Sequence, residues 1–185
     1  MRNVLAASVV FLLIVSLAPD LGATTMKRLT NQDLAEKAQL IVVGRALETK
    51  SAWVGRRLVT LATISVGEVL KGDRHATVTV VLPGGVDATR KFPLAMMVPG
   101  APQIHAQEEV FLFLTRANQH ATGDAESYTI VGFSQGKLSI VTDAGCNKML
   151  AHRQVSAGTA GPVPLAQFKQ EILGLLAGGG AHQQP

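Results

Sequence analysis

The feature that most constrains the fold is a stretch of alternating side chains over residues 57–70. Leu58, Ala62, Ile64, Val66 and Leu70 share one parity, while Arg57, Thr63 and Ser65 occupy the other. A period of two held over that length is the signature of a long strand with one buried face. The neighbouring runs are strand-like too. Residues 40–47, Leu-Ile-Val-Val-Gly-Arg-Ala-Leu, are β-branched and continuous enough to be covered on both faces. A loop holding Trp53, the single tryptophan of the chain, leads into the alternating strand. Lys71-Gly72-Asp73-Arg74 reads as a turn, residues 77–82 run back, and Pro83-Gly84-Gly85 ends them. Residues 86–106 contain three prolines and two methionines, show no period, and read as a long connection with at most one short strand.

Further on, residues 109–115 are apolar on both faces, and residues 118–126 form a polar hairpin-type loop. Residues 128–132 and 137–142 are expected to pair with each other across Phe133-Ser134-Gln135-Gly136. Two helices flank the strands. Thr30 stands as N-cap with Asp33 three residues on, ahead of Leu34-Ala35-Glu36-Lys37-Ala38. At the other end, Pro164 suits a first helical turn, and Leu165, Phe168, Ile172, Leu175 and Leu176 follow a helical stripe. No helix-length pattern separates successive strands, so a parallel sheet with crossover helices is excluded. The chain has 185 residues, one domain's worth and too few for a TIM barrel. The expected fold is mainly β: a small antiparallel barrel or sandwich of OB type with an N-terminal and a C-terminal helix. Its core should hold Leu40, Val42, Leu58, Ile64, Val66, Val78, Val80, Phe111 or Phe113, Ile130 and Ile140.

The first 23 residues carry an address. Arg2 gives a positive start, residues 4–18 are apolar apart from Ser8 and Ser16, and Leu21-Gly22-Ala23 offers small residues to a peptidase. This is the tripartite pattern of a secretory signal peptide, and the apolar run is shorter than the ~20 residues a membrane span needs. Cleavage after Ala23 is expected, leaving a mature N-terminus at Thr24, no stable membrane span, and a periplasmic or extracellular protein. The organisation is then signal peptide 1–23, β domain 24–157, linker and amphipathic helix 158–177, and a disordered tail 178–185. One cysteine, Cys146, supplies no internal disulfide, so packing alone must hold the exported domain.

Gly132-Phe133-Ser134-Gln135-Gly136 matches the G-x-S-x-G nucleophile elbow, and Asp143 and His152 follow in the right order. That chemistry needs the serine on a strand-to-helix turn, whereas Lys137-Leu138-Ser139-Ile140-Val141 reads as a strand. Serine hydrolysis is therefore the alternative reading, and no catalytic residue is assigned. His75, His105, His120, His152 and His182 are scattered singly, so neither a metal site nor a cofactor is assigned. Glu108-Glu109 reads as a solvated turn before a strand. The net charge of +4 contains no basic run, and at 4% aromatic the chain lacks the stacking platforms of a single-strand binder. Nucleic acid is not an expected partner.

The strands in order carry a resemblance. Ala38-Gln39-Leu40-Ile41-Val42-Val43-Gly44, Val66-Gly67-Glu68-Val69-Leu70-Lys71-Gly72, Pro83-Gly84-Gly85, Glu108-Glu109-Val110-x-x-Phe113-Leu114 and Val131-Gly132-x-x-Gln135-Gly136 are its pieces. Over about residues 30–145 this resembles a group of exported bacterial proteins with an "A-D-x-I-V-x-G" opening, an "E-x-L-K-G" turn, a "G-E-E-x-L-x-F-L" strand and a closing "Q-G". More distantly it is similar to the netrin-like barrel of tissue inhibitors of metalloproteinases, an OB-type fold. Those inhibitors chelate zinc through an N-terminal cysteine, but Thr24-Thr25-Met26 contains none. Gln39 and Gln107 replace the acidic and glycine positions of the first and third motifs. The resemblance thus implies the barrel, and no site residue carries over. The functional expectation is an exported binding or interaction module acting on an exported protein, for example a protease. A structural envelope protein is the other non-enzymatic alternative. The sequence fixes no oligomeric state.

Overall fold

A computed structural model describes residues 27–117, 127–151, 153–155 and 158–179. The leader at 1–23, the polar loop at 118–126, His120, His152, His182 and residues 180–185 of the expected tail lie outside the described residues.

The chain enters through helix α1 (Asn31–Lys37), which begins where the sequence places it. The Thr30 hydroxyl accepts from the Asp33 N–H at 3.0 Å, and the Asp33 carboxylate accepts from the Thr30 N–H at 2.8 Å. This reciprocal pair satisfies two of the orphan donors of a helix start. Strands β1 (Leu40–Val54) and β2 (Arg57–Lys71) follow as a long hairpin, then β3 (Thr77–Pro83). Two short strands, β4 (Gly85–Asp87) and β5 (Leu94–Met96), make a flap. Next come β6 (Glu109–Arg116), β7 (Ser127–Ile130), β8 (Lys137–Thr142) and β9 (Lys148–Leu150). The chain ends in β10 (Arg153–Val155), β11 (Gly158–Ala160), β12 (Val163–Pro164) and helix α2 (Leu165–Gly179).

Five strands close a ring in the order β1-β2-β3-β7-β6 and back to β1. Every pairing in it is antiparallel except β3 with β7, which meet in parallel at Thr79↔Ser127 and Val80↔Tyr128. The result is a small five-stranded barrel of OB type, extended past β6 by β8, β9 and β12. Closure leaves the start of β1 and most of β6 covered on both faces. Leu40, Val42, Leu112 and Leu114 point inward with Ile64, Val78 and Val80. Their neighbours Ile41, Phe111 and Phe113 point outward into a second cluster with Leu34, Phe168 and Ile172 of the helices. That is why residues 40–43 and 110–114 are apolar at every position.

Five expectations need correction. Trp53 lies in β1, because the hairpin turn is only Gly55 and Arg56 between the paired Val54 and Arg57. Leu70 does not share a face with Ile64. The β1–β2 register skips Gly67 and Leu70, and each extra residue shifts parity, so Leu70 joins the outer cluster while Val69 packs inside. Residues 128–132 and 137–142 do not pair with each other: β7 and β8 lie end to end along the same edge of β6. The expected linker at 158–163 instead contributes β11 and β12, and Val163 pairs with Leu150. Helix α2 continues through residues 178 and 179, which the sequence assigns to a disordered tail. Of the expected core, Leu40, Val42, Leu58, Ile64, Val78, Val80, Phe111, Phe113, Ile130 and Ile140 are buried, and Val66 is partly buried against the inner cluster.

Candidate interaction site

The serine motif is the first place to look for chemistry. Between β7 and β8 the chain leaves the ladder at Val131 and returns at Gly136, both bonded to Phe113. The Val131 N–H donates to the Phe113 carbonyl at 2.9 Å, and the Phe113 N–H donates to the Gly136 carbonyl at 2.8 Å. Residues 132–135 are thus a short excursion from one strand edge, with a strand rather than a helix after it. A glycine closing a turn is expected to supply a positive φ at Gly136, but positive φ falls on Gly132 (65°) and Phe133 (64°) instead. Gly136 is needed for close approach instead, because a Cβ there would lie 2.6 Å from the Val131 carbonyl oxygen.

Ser134 is half-buried in this excursion. Its follower Gln135 clasps the chain ahead of α1. The Gln135 side-chain oxygen accepts from the Leu29 N–H at 2.7 Å, and its amide donates to the Lys27 carbonyl at 3.1 Å. Asp143, the acid of the hydrolase reading, is occupied by its own loop. Its Oδ1 accepts from the N–H groups of Gly145 and Asn147, each at 2.8 Å, and the Asn147 bond leads in holding its carboxyl below the ordinary range. Cys146 sits exposed on that loop. His152 lies outside the described residues.

A second serine sits beside a lysine. Ser139 Oγ is 2.9 Å from Lys137 Nζ, but both donate to Glu108 Oε1, at 2.6 and 2.5 Å. Burial pushes the Glu108 carboxyl up, and the bonds from Lys137, Ser139 and the His105 N–H outweigh it, holding the carboxyl below its usual value. Lys137 Nζ donates to both Glu108 and Ser139 Oγ, and the Ser139 hydroxyl is itself turned to the carboxylate, so the pair is not arranged as a nucleophile handing its proton to a lysine. Glu108 is therefore a clamp between the loop before β6 and strand β8, not a solvated residue. Glu109 bridges Lys148 at 2.8 Å and Arg45 at 2.6 Å. His75 stands 3.4 Å from the Tyr128 hydroxyl. Among the described residues no three of His, Cys, Asp and Glu gather as a metal site.

The surface left unfinished is at the flap. Gly84, at φ 92°, turns the chain off β3 so closely that a Cβ would meet the Met96 carbonyl oxygen at 2.6 Å. The Val86 N–H donates to Ser51 Oγ at 2.9 Å, tying β4 to β1. Asp87 then fixes the flap loop. Its carboxylate accepts from Thr89 Oγ1 at 2.6 Å, Trp53 Nε1 at 2.8 Å and Arg90 Nε at 2.9 Å, and these bonds, Thr89's first, hold it far below the ordinary carboxylate range. The Arg90 guanidinium lies 5.2 Å from the Trp53 ring centroid. Beyond that anchor the flap shows apolar side chains to solvent: Phe92 is 77% exposed and Met97 83%, with Val86 and Leu94 also exposed.

Beneath the flap runs a groove of about 770 Å³. It opens where β3 and β7, after only two paired positions, carry no further pairing, with Val81 and Pro83 lining one side and Thr129 and Ile130 the other. Met96, Val98 and Pro102 cover it, and Arg56 of the β1–β2 turn and Arg57 at the start of β2 stand among its lining residues. A second hollow of about 440 Å³ shares Gly84, Met96, Val98 and Pro102 with it. Read from sequence, these residues have other duties: Trp53 in a loop, Leu58 and Ile130 in the core, and Pro83-Gly84-Gly85 as the end of a strand. The flap residues fall in the aperiodic 86–106 stretch, where the available signal is an accumulation of Phe92, Leu94, Met96, Met97 and Val98 with no pattern to bury them.

No helix among the described residues is long and apolar enough to cross a membrane. Compared with protein-family models and with curated proteins, the chain matches none.

Proposed function

We propose that this chain is an exported binding module that docks another exported protein, such as a protease, through its flap. The observation that carries the reading is the pair Phe92 and Met97, 77% and 83% exposed on a flap that Asp87 holds in place. Large apolar side chains cost solubility when left in water, and a fixed apolar surface is characteristic of an interaction site. Aromatic and methionine side chains are the types that interfaces enrich. Pinning the flap in advance lowers the ordering cost of association. The leader pattern of residues 1–23 supplies the compartment in this reading. Protease inhibition would use this surface rather than an N-terminal zinc chelator, since Thr24-Thr25-Met26 has no thiol to offer.

The test is affinity capture from periplasmic and culture fractions with the mature chain, compared with Phe92→Ser/Met97→Ser and with Leu173→Ser on helix α2. A partner retained by wild type and by Leu173→Ser, and lost by the flap double variant, supports the proposal. Equal retention by all three, or none by wild type, rejects it.

A further inference from the structure

We infer that the groove under the flap is a binding site for a single-chain alkyl carboxylate, the free acid of a long hydrocarbon chain. This is separate from protein docking by Phe92 and Met97. Three observations carry it. The groove, about 770 Å³, falls within the ~300–1,000 Å³ of small-ligand sites and lies where β3 and β7 part. Its walls are hydrocarbon: Leu58, Val81, Met96, Val98, Pro102 and Ile130 line it, and Leu58 and Ile130 belong to the buried core. A ligand chain entering there would exchange water for the same surroundings that core side chains have.

The third observation is charge. Among the described residues, Arg56 and Arg57 are the only charged ones lining the groove, and both have the same sign. Among the described residues neither meets a carboxylate, although Arg45, Lys50, Arg90, Lys137, Lys148 and Lys169 all do. An apolar groove with two unpaired guanidinium groups complements a molecule with one hydrocarbon chain and one anionic end. The planar guanidinium fork matches a carboxylate through two parallel hydrogen bonds. A cationic or purely neutral chain would leave the arginines as they are and gain nothing from them.

The experiment is calorimetric titration of the mature chain with dodecanoate and, separately, with dodecyltrimethylammonium, which has the same chain and the opposite charge. Dodecanoate should bind saturably with one site and at least about tenfold more tightly than the cation, the size expected of a charge-assisted pair. Arg56→Gln/Arg57→Gln should bring the two affinities together with an unchanged melting temperature, because both side chains are exposed, Arg56 in the turn and Arg57 at the strand end beside it. Val98→Trp, which fills the groove, should weaken both ligands. Absence of saturable dodecanoate binding, or a cation that binds wild type as tightly as the anion does, would overturn the inference. So would an anion preference that survives the double arginine substitution. Loss of protein capture by the Phe92→Ser/Met97→Ser variant bears on the docking surface alone, so the two ideas can fail independently.

Discussion

Two sides of this barrel solve their surfaces differently. On the helix-covered side, Ile41, Phe111 and Phe113 meet Phe168 and Ile172, with ring centroids of Phe111 and Phe168 5.1 Å apart. Polar contacts there also stay within the chain. Gln135 holds the Leu29 backbone, Lys71 donates to the Ala35 carbonyl near the end of α1 at 2.7 Å, and Gln39 accepts from the Arg116 N–H at 2.8 Å. On the flap side the barrel wall splays between β3 and β7, Phe92 and Met97 face water, and Arg56 and Arg57 have no carboxylate among the described residues. One side is completed by the chain itself, and the other has the form of a surface that something else completes.

The largest expected effect tests that difference by stability. Phe168 is 1% exposed, so Phe168→Ala should cost about 3–5 kcal/mol in urea unfolding, whereas Phe92→Ser should stay within about 0.5 kcal/mol. A comparable loss from Phe92→Ser would mean that the flap is part of the packed structure and not a presented surface.

A smaller effect separates architecture from chemistry at the serine motif. Gly136→Val should destabilise by about 1–3 kcal/mol, because its Cβ would press on the Val131 carbonyl oxygen. Ser134→Ala should change melting by only a few tenths of a kcal/mol, the scale of a substitution that removes no partner. A fluorophosphonate serine probe should not label wild type specifically. Labelling that disappears in Ser134→Ala would make the excursion a catalytic element.

The smallest effect concerns acid. The folded carboxyls of Glu108 and Asp87 both lie below their ordinary values of 4.5 and 3.8. Each therefore adds stability that is fully present above its ordinary value and is lost as pH falls through the lower, folded one. Asp87 is displaced much further, so on acidification the Glu108–Lys137 clamp should loosen while the flap anchor persists. Unfolding free energy should begin to fall below about pH 4.5, and Lys137→Met should flatten that fall. Trp53 emission should hold to lower pH. If Trp53 changed first, the flap would be the weaker of the two anchors.

The legibility of these two sides in the sequence differs for a physical reason. Strand periodicity, the Thr30–Asp33 cap and the stripe from Leu165 to Leu176 are local patterns, and they led to the barrel with its two helices. The motifs carrying the resemblance resolve into local structural duties as well: Lys71 reaches the end of α1, Gly136 permits close approach to Val131, and Gln135 clasps Leu29. Ring closure was not legible, since β1 meeting β6 joins residues about 70 apart in sequence with no local signal. Nor were the bulges at Gly67 and Leu70, which reverse parity without changing composition. The flap was hidden for the opposite reason. Its residues obey no period because strands of three residues are too short to display one, and its exposed Phe92 and Met97 look in sequence like any core residue.

Recognition by the flap, and not by the helix-covered side, is what the contrast between the two surfaces proposes. Its most direct measurement places a photo-crosslinking amino acid at position 92 or at position 173 of the full chain in producing cells. The account predicts a discrete protein adduct from position 92, competed by excess unlabelled mature chain, and no such adduct from position 173 on α2. An adduct from position 173 alone, or the same diffuse labelling from both, would contradict it.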